Sequence, residues 1–201
     1  MVSLSLRQFK TLKEYAIGKY FHSLIPSEPL FNPCDNPMSA SDAWKFVPAM
    51  TKIMMTNWGQ GIAANQVGLD IPLCIVVVKN APMVFFRPKV IEVSKTIRTA
   101  AEMCLSLPVN LAVEVARPIE LVVEFIHQSN NKRMRLELWG REARALQHEL
   151  DHLKGLTIID QAVEKVELPH VDAETLRAEA LEFRRLQESS PTEPVTESCG
   201  T

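Results

Sequence analysis

Paired cysteines, long apolar runs, an excess of one charge and internal repeats are all missing from this 201-residue chain. Cys34, Cys74, Cys104 and Cys199 are scattered and form no C-x-x-C pair. That fits a reducing compartment, where thiols stay free or bind metal. The longest apolar run is Leu73–Val78, far short of the ~20 residues a spanning helix needs, so no membrane partner is expected. A formal net charge of −2 provides no basic field, so direct nucleic-acid binding is not expected either. The N-terminus lacks an uninterrupted apolar core segment, which argues against a secretory signal. Residues 1–24 carry Arg7, Lys10, Lys13 and Lys19 against a lone Glu14, a balance that an organelle transit peptide also shows. A hydrophobic fraction of 46% and this length suit one domain with a real core.

What the chain does have is Gln-His-Glu-Leu-Asp-His-Leu-Lys-Gly at 147–155, which contains His-Glu-x-x-His. In a helix, i and i+4 lie one turn apart on one face, so His148 and His152 can grip one ion. Glu149 can then reach a metal-bound water without ligating the metal. A divalent ion lowers the pKa of such a water from about 15.7 toward about 7, and a nearby carboxylate can take its proton. A surface helix with two solvated histidines is the bland alternative. Upstream, Cys104 reads first as a buried thiol. It could also complete a site of one thiolate and two imidazoles with a position open to water. That set suits Zn, Fe(II), Ni or Co without choosing among them.

Apolar spacing in 4–24 predicts an amphipathic helix, and the prolines of 25–39 an extended segment. Ser41 or Asp42 is expected to cap a helix running to about Asn57. Its buried stripe would be Trp44, Val47, Met50, Ile53 and Met54, with Pro48 forcing a kink or a later start. Gly59-Gln60-Gly61 lets the backbone approach something closely. No Lys-Ser/Thr or G-x-G-x-x-G accompanies it, so it is a poor phosphate loop. Gln66 is either a satisfied core amide or a donor aimed at a substrate oxygen. Strands are expected at Leu73–Val78, at 83–87 with an end at Pro88, over 90–93, at 109–114, at 119–126 and at 134–138. A turn is expected at Ala81-Pro82, a hairpin turn at 129–132, and a loop or irregular strand at 96–101. Met134, Leu136 and Leu138 should face inward. The metal helix should span about 141–154, with Leu146, Leu150 and Leu153 packed on a sheet and Gly155 just past its end. His127 and His170 read as solvated or uninvolved. Residues 156–164 should be extended, and a last helix should run from a cap at Asp172 to about Glu188.

Three segments in order, GQGIAANQ, EMCLS and QHELDHLKG, resemble the signature motifs of the peptide deformylases. These metalloenzymes remove formyl from the N-terminal methionine of new polypeptides. The resemblance implies an α+β fold, with antiparallel β-sheets packed around a central metal-binding α-helix and flanking N- and C-terminal helices. It implies an N-terminal extension at 1–28, a catalytic domain at 29–188 and a disordered tail at 189–201. Cys104, His148 and His152 would hold one divalent ion, Fe(II) in the cell, with Zn, Ni or Co able to substitute. Glu149 would be general base and then acid. The Gln66 side chain and the Leu105 N–H would form the oxyanion hole. Gln60, Gly61 and Met103 would contact the substrate, an N-formylmethionyl nascent peptide bound as an added strand. The expected setting is a monomer near the ribosome, in the cytoplasm of a bacterium or a phage-infected host. An organelle stroma or matrix is the second setting.

The chain also departs from that family. Gln60 stands where an apolar residue is usual and Met103 where glycine is usual. Arg87 and Arg141 replace apolar or amide residues and bear on the methionine pocket and its rim. Arg117, Arg144, Glu102 and Asp151 match family positions, and an ion-pair network orienting the metal helix is expected of them. Two other readings compete. A zincin-type protease would draw a third ligand from Glu164 or Glu167. A module that keeps the fold but not the turnover would explain Gln60 and Met103.

Overall fold

The computed structural model describes residues 33–107 and 111–164. The helices expected over 4–24 and 172–188, the extension at 1–28, the tail at 189–201, His170 and Glu167 all lie outside those residues. Within them, residues 33–39 form no regular element. Ser39 then caps a short helix, α1 (Ala40–Ala43), by accepting the Asp42 N–H at 3.2 Å. The cap is therefore two residues earlier than expected. A tight 3₁₀ turn at Trp44–Phe46 separates α1 from α2 (Val47–Thr56). Pro48 sits in the first turn of α2, where its missing N–H has no helical partner to lose. Of the two outcomes expected of Pro48, the later start is the one found: α2 begins at Val47.

Seven strands follow: β1 (Gly61–Ala63), β2 (Leu73–Val78), β3 (Ala81–Val93), β4 (Ile97–Glu102), β5 (Val113–Pro118), β6 (Glu120–Ile126) and β7 (Arg133–Trp139). Five form an antiparallel sheet in the order β1-β2-β3-β6-β7, and β4 pairs with β5 separately. The helix α3 (Gly140–Leu153) comes last. This is the α+β plan with antiparallel sheets about a central helix that the resemblance implies. Among the described residues no helix is long and apolar enough to cross a membrane.

The strands differ from expectation in instructive ways. The β2–β3 turn is Lys79-Asn80, both with positive φ (49° and 64°), as a two-residue type I′ hairpin requires. Ala81-Pro82 belongs to β3, paired with Val78 and Val77. Pro88 does not end β3. The register against β6 slips between Phe86 and Lys89, and Arg87 takes φ 48°, so a bulge absorbs the residue that cannot donate to the ladder. The 96–101 segment is largely β4. It reads poorly because only Glu102 at its end is buried, so no apolar alternation marks it. Of the strand expected at 109–114, residues 109 and 110 lie outside the described residues and 111–112 are not strand; β5 runs over Val113–Pro118, with Val113, Val115 and Arg117 inward. Met134, on the edge strand β7, is 42% exposed, and only Leu138 of that strand is buried. Residues 156–164 are turns. Asp160 accepts the Thr157 N–H at 2.7 Å, and Ala162 makes an isolated bridge to Val115.

The core explains why β2 has no polar face. Leu73 and Ile75 join Val47, Met50 and Met54 on one side of the sheet. Cys74, Val76 and Val78 join Leu146, Leu150 and Leu153 of α3 on the other. A strand covered on both faces is apolar throughout. A third cluster, Cys104, Leu107, Val113, Val115 and Ile158, seats the β4–β5 hairpin.

Candidate active site

Helix α3 brings His148 and His152 onto one face, their rings 4.9 Å apart. Cys104 leaves the end of β4 and meets them. Its Sγ lies 3.2 Å from His152 Nε2, and the ligand atoms of the three residues lie within 4.8 Å of one another. A tight turn fixes the sulfur: the Leu107 N–H donates to the Cys104 carbonyl at 3.0 Å and the Ser106 N–H reaches Sγ at 3.4 Å. His148 is oriented from behind by Nδ1 against Glu102 Oε2 at 3.0 Å, which turns Nε2 toward the sulfur.

Glu102 is the hub of the ion-pair network expected from the sequence. It accepts from Arg117 Nε and Nη2 at 2.6 and 3.0 Å and from Arg144 Nη1 at 2.7 Å. Arg117 Nη1 also donates to Asp151 Oδ2 at 2.7 Å. Two strands and α3 are thereby clamped together. Burial would push the Glu102 carboxyl up, but the bonds from His148 and Arg117 outweigh it and hold it at about 2.

Burial would likewise raise the Cys104 thiol, yet His152 and His148 hold it well below the usual thiol range. His148 itself is raised well above the ordinary imidazole value, against burial, by Cys104 and Glu102. A buried thiolate demands positive charge beside it, and a divalent ion among one sulfur and two imidazoles supplies it. Glu149, 4% exposed, stands next to them, and its Oε2 has no hydrogen-bond partner among the described residues. Burial pushes its carboxyl up to about 8; a nearby divalent cation would draw it back down. The donor set and this unpartnered oxygen both fit a metal and its water. Glu164 is exposed and stands outside the cluster; among the described residues it is Cys104 that joins His148 and His152 in a group that could hold a metal ion.

A cleft of about 580 Å³ opens here, between the 57–61 segment, the end of β4 and α3. It brings together Gln60, Gly61, Gln66, Met103, Cys104, Leu105, His148 and Glu149. The β1 pairing says how the backbone faces it. Gln60 O accepts the Val77 N–H at 2.9 Å, so in an antiparallel ladder the peptide groups of Gly61 face the free edge. Gly61 therefore presents its main chain to the cleft, and the exposed Gln60 also lines it. A Cβ on Gly61 would lie 2.5 Å from Glu149 Oε1. The close approach that the glycine pair foretold is made to the Glu149 carboxyl.

Gln66 Oε1 accepts the Ala63 N–H at 2.7 Å, which leaves Nε2 to donate to Ser106 Oγ at 3.0 Å beside the cysteine sulfur. Ser106 and Asn65 went unnoticed in the sequence. Asn65 Nδ2 donates to the His152 carbonyl and ties the β1 loop to α3. Neither carries a spacing signal; position next to Gln66 and Cys104 was the only clue. Arg87 is not part of the cleft. The bulge turns it to the Met38 carbonyl at 3.2 Å and over the Phe86 ring. Arg141 does line it.

Comparison with known proteins agrees with this geometry. The family model of polypeptide deformylase matches residues 23–167. The peptide deformylase of Borreliella burgdorferi is 37% identical over 123 residues, 60% of this chain and 73% of that one. The Prochlorococcus marinus (strain NATL2A) enzyme is 32% identical over 164 residues, covering 78% of this chain and 76% of its own. The crystal structure of peptide deformylase from Thermotoga maritima matches with a TM-score of 0.63 at 29% identity, over 68% of this chain and 93% of that one. The family match spans well over half the sequence and a solved relative shares the fold, so this chain belongs to the peptide deformylases, metal-dependent hydrolases that take the formyl group from the N-terminal methionine of new polypeptides and release formate.

Proposed function

We propose that Cys104, His148 and His152 are the ligands of a single divalent ion and that Glu149 moves the proton in deformylation. The observation that carries this is the convergence of the three ligand atoms within 4.8 Å, from one helix and a distant turn. When bound, the ion supplies a water that deprotonates near neutral pH. Glu149 Oε2 takes that proton as the water oxygen attacks the formyl carbon. It returns the proton to the amide nitrogen as the C–N bond breaks. Gln66 Nε2 and the Leu105 N–H donate to the oxyanion developing on the formyl oxygen. The orientation of Gln66 supports this, because its own oxygen is already engaged by Ala63. Gly61 receives the peptide main chain at the free edge of β1, and Gln60 and Met103 form the rims.

Iron(II) is the ion proposed for the cell. The sulfur and imidazole set also admits Zn, Ni or Co. The substrates are formylmethionyl nascent chains, met near the ribosome by a monomer that binds neither nucleic acid nor membrane. The proposed compartment is the cytoplasm of a bacterium or phage-infected host, with an organelle stroma or matrix second. Residues 29–188 are proposed as the catalytic domain, after an extension at 1–28 and before a tail at 189–201.

Anaerobically prepared chain loaded with Fe(II) or Ni should release formate from formyl-Met-Ala-Ser. Chelation should abolish this, and Cys104→Ala and His148→Ala should lose the metal on the same preparation. Full metal content in both variants would remove them from the ligand set. A loaded wild type without formate release would overturn the site reading.

A further inference from the structure

Helix α3 sets Arg141, Ala145 and His148 at i, i+4 and i+7, and all three line the cleft. Arg141 is exposed and, among the described residues, makes no ion pair or hydrogen bond. Its chain neighbour Glu142 is turned away, where its Oε1 accepts the Lys79 N–H at 2.7 Å. The other charges of the lining are engaged or sunk. Glu102 is held by Arg117, Arg144 and His148, Arg144 Nη1 is spent on Glu102 and the Val115 carbonyl, and Glu149 is buried. The remaining rim is uncharged, with Gln60 exposed beside Trp58, 91% exposed, and Met103, 60% exposed. The mouth of the cleft therefore presents one unneutralised guanidinium.

We infer that Arg141 is a specificity-determining residue that favours formylated peptides bearing a carboxylate side chain shortly after the formylmethionine. The inference rests on the site reading above, which puts the formyl group at His148. Seven helical residues separate Arg141 from His148, about 10 Å of axial rise. An extended peptide covers that distance in about three residues. The carboxylate thus belongs to the second or third residue of the substrate. A guanidinium accepts a carboxylate there in bidentate fashion and repels lysine. Because the pair is solvent-exposed, the preference should be about two- to fivefold, and it should shrink as salt shortens the screening length.

The test compares kcat and KM of the metal-loaded full chain on formyl-Met-Glu-Ser, formyl-Met-Ala-Ser and formyl-Met-Lys-Ser, together with the Asp and Lys analogues at the third position. The expected order is acidic, neutral, basic at one of those positions, expressed in KM and weakened by added salt. Arg141→Ala should bring the acidic-to-basic ratio close to one, and Arg141→Lys should keep most of it. Inhibition by the products Met-Glu-Ser and Met-Lys-Ser gives the same ordering without turnover. Formate release with no charge preference at either position, or a preference unchanged in Arg141→Ala, overturns the inference alone. No formate from any peptide overturns the site reading with it.

Discussion

The two supports of the cleft are held by opposite physics. Where α3 meets the five-stranded sheet, Leu146, Leu150 and Leu153 share one apolar cluster with Val76, Phe85, Leu121 and Val123. Where α3 meets the β4–β5 hairpin, the contact is ionic: Glu102, Arg117, Asp151, Arg144 and His148 share one network. The apolar contact is tolerant of small shifts, because it is non-directional. The ionic one fixes distances, and it fails badly when one partner is lost, because the others stay buried and charged. The side that demands distance is the side that delivers Cys104 to the histidines.

The largest way to sharpen this contrast leaves both supports standing. Glu149→Gln should cut formate release about 10²- to 10⁴-fold, the range of a lost proton carrier, while metal content and the urea midpoint hold. A rate near wild type would take Glu149 off the proton path. Arg117→Ala attacks the ionic support. It should cost about 3–5 kcal/mol in urea unfolding, because two buried carboxylates each lose their Arg117 partner and Glu102 is left with Arg144 and His148; unchanged stability and rate would end the clamp argument. Leu146→Ala attacks the apolar support at a fully buried position. It should cost about 2–5 kcal/mol with metal affinity in the surviving folded protein little changed. Equal loss of metal affinity in Leu146→Ala and Arg117→Ala would erase the distinction between the supports.

Gly61→Ala should do less to stability, about 1–3 kcal/mol, yet slow turnover, because its Cβ would press on Glu149. The last effect is in acid. Glu102 sits at about 2 in the folded chain against an ordinary 4.5. Its contribution is therefore full above 4.5 and is lost as pH falls toward about 2. The urea midpoint should drop over that window, and the drop should be shallower in Glu102→Gln.

The same contrast decides what could be read in advance. The apolar support was largely legible: the unbroken Leu73–Val78 run marks a strand covered on both faces, the leucines of α3 recur at helical spacing, and Arg135 and Glu137 of β7 are exposed, but Met134, expected inward, is exposed as well. The His-Glu-x-x-His spacing gave the helical half of the site by geometry alone. Cys104 had no period to announce it. It was one thiol among four, and its place rested on the resemblance. The strand β4 was obscure because its buried residue is a carboxylate. The Lys79-Asn80 turn was obscure because lysine is no turn former and the adjacent Ala81-Pro82 drew the reading. Arg87 was misplaced for a related reason: a bulge reverses which way a residue points, and no pattern in the sequence reports a bulge.

Of the three proposed ligands and the proposed proton carrier, three ride on α3 and the sulfur comes from elsewhere. Any rocking of that helix carries His148, Glu149 and His152 as one rigid cassette. The gap to the sulfur is then the one soft coordinate, set by how firmly the hairpin is latched. Retention of the ion becomes a gauge of that latch, so slow metal escape reports the local opening of a hairpin and not the unfolding of the whole chain.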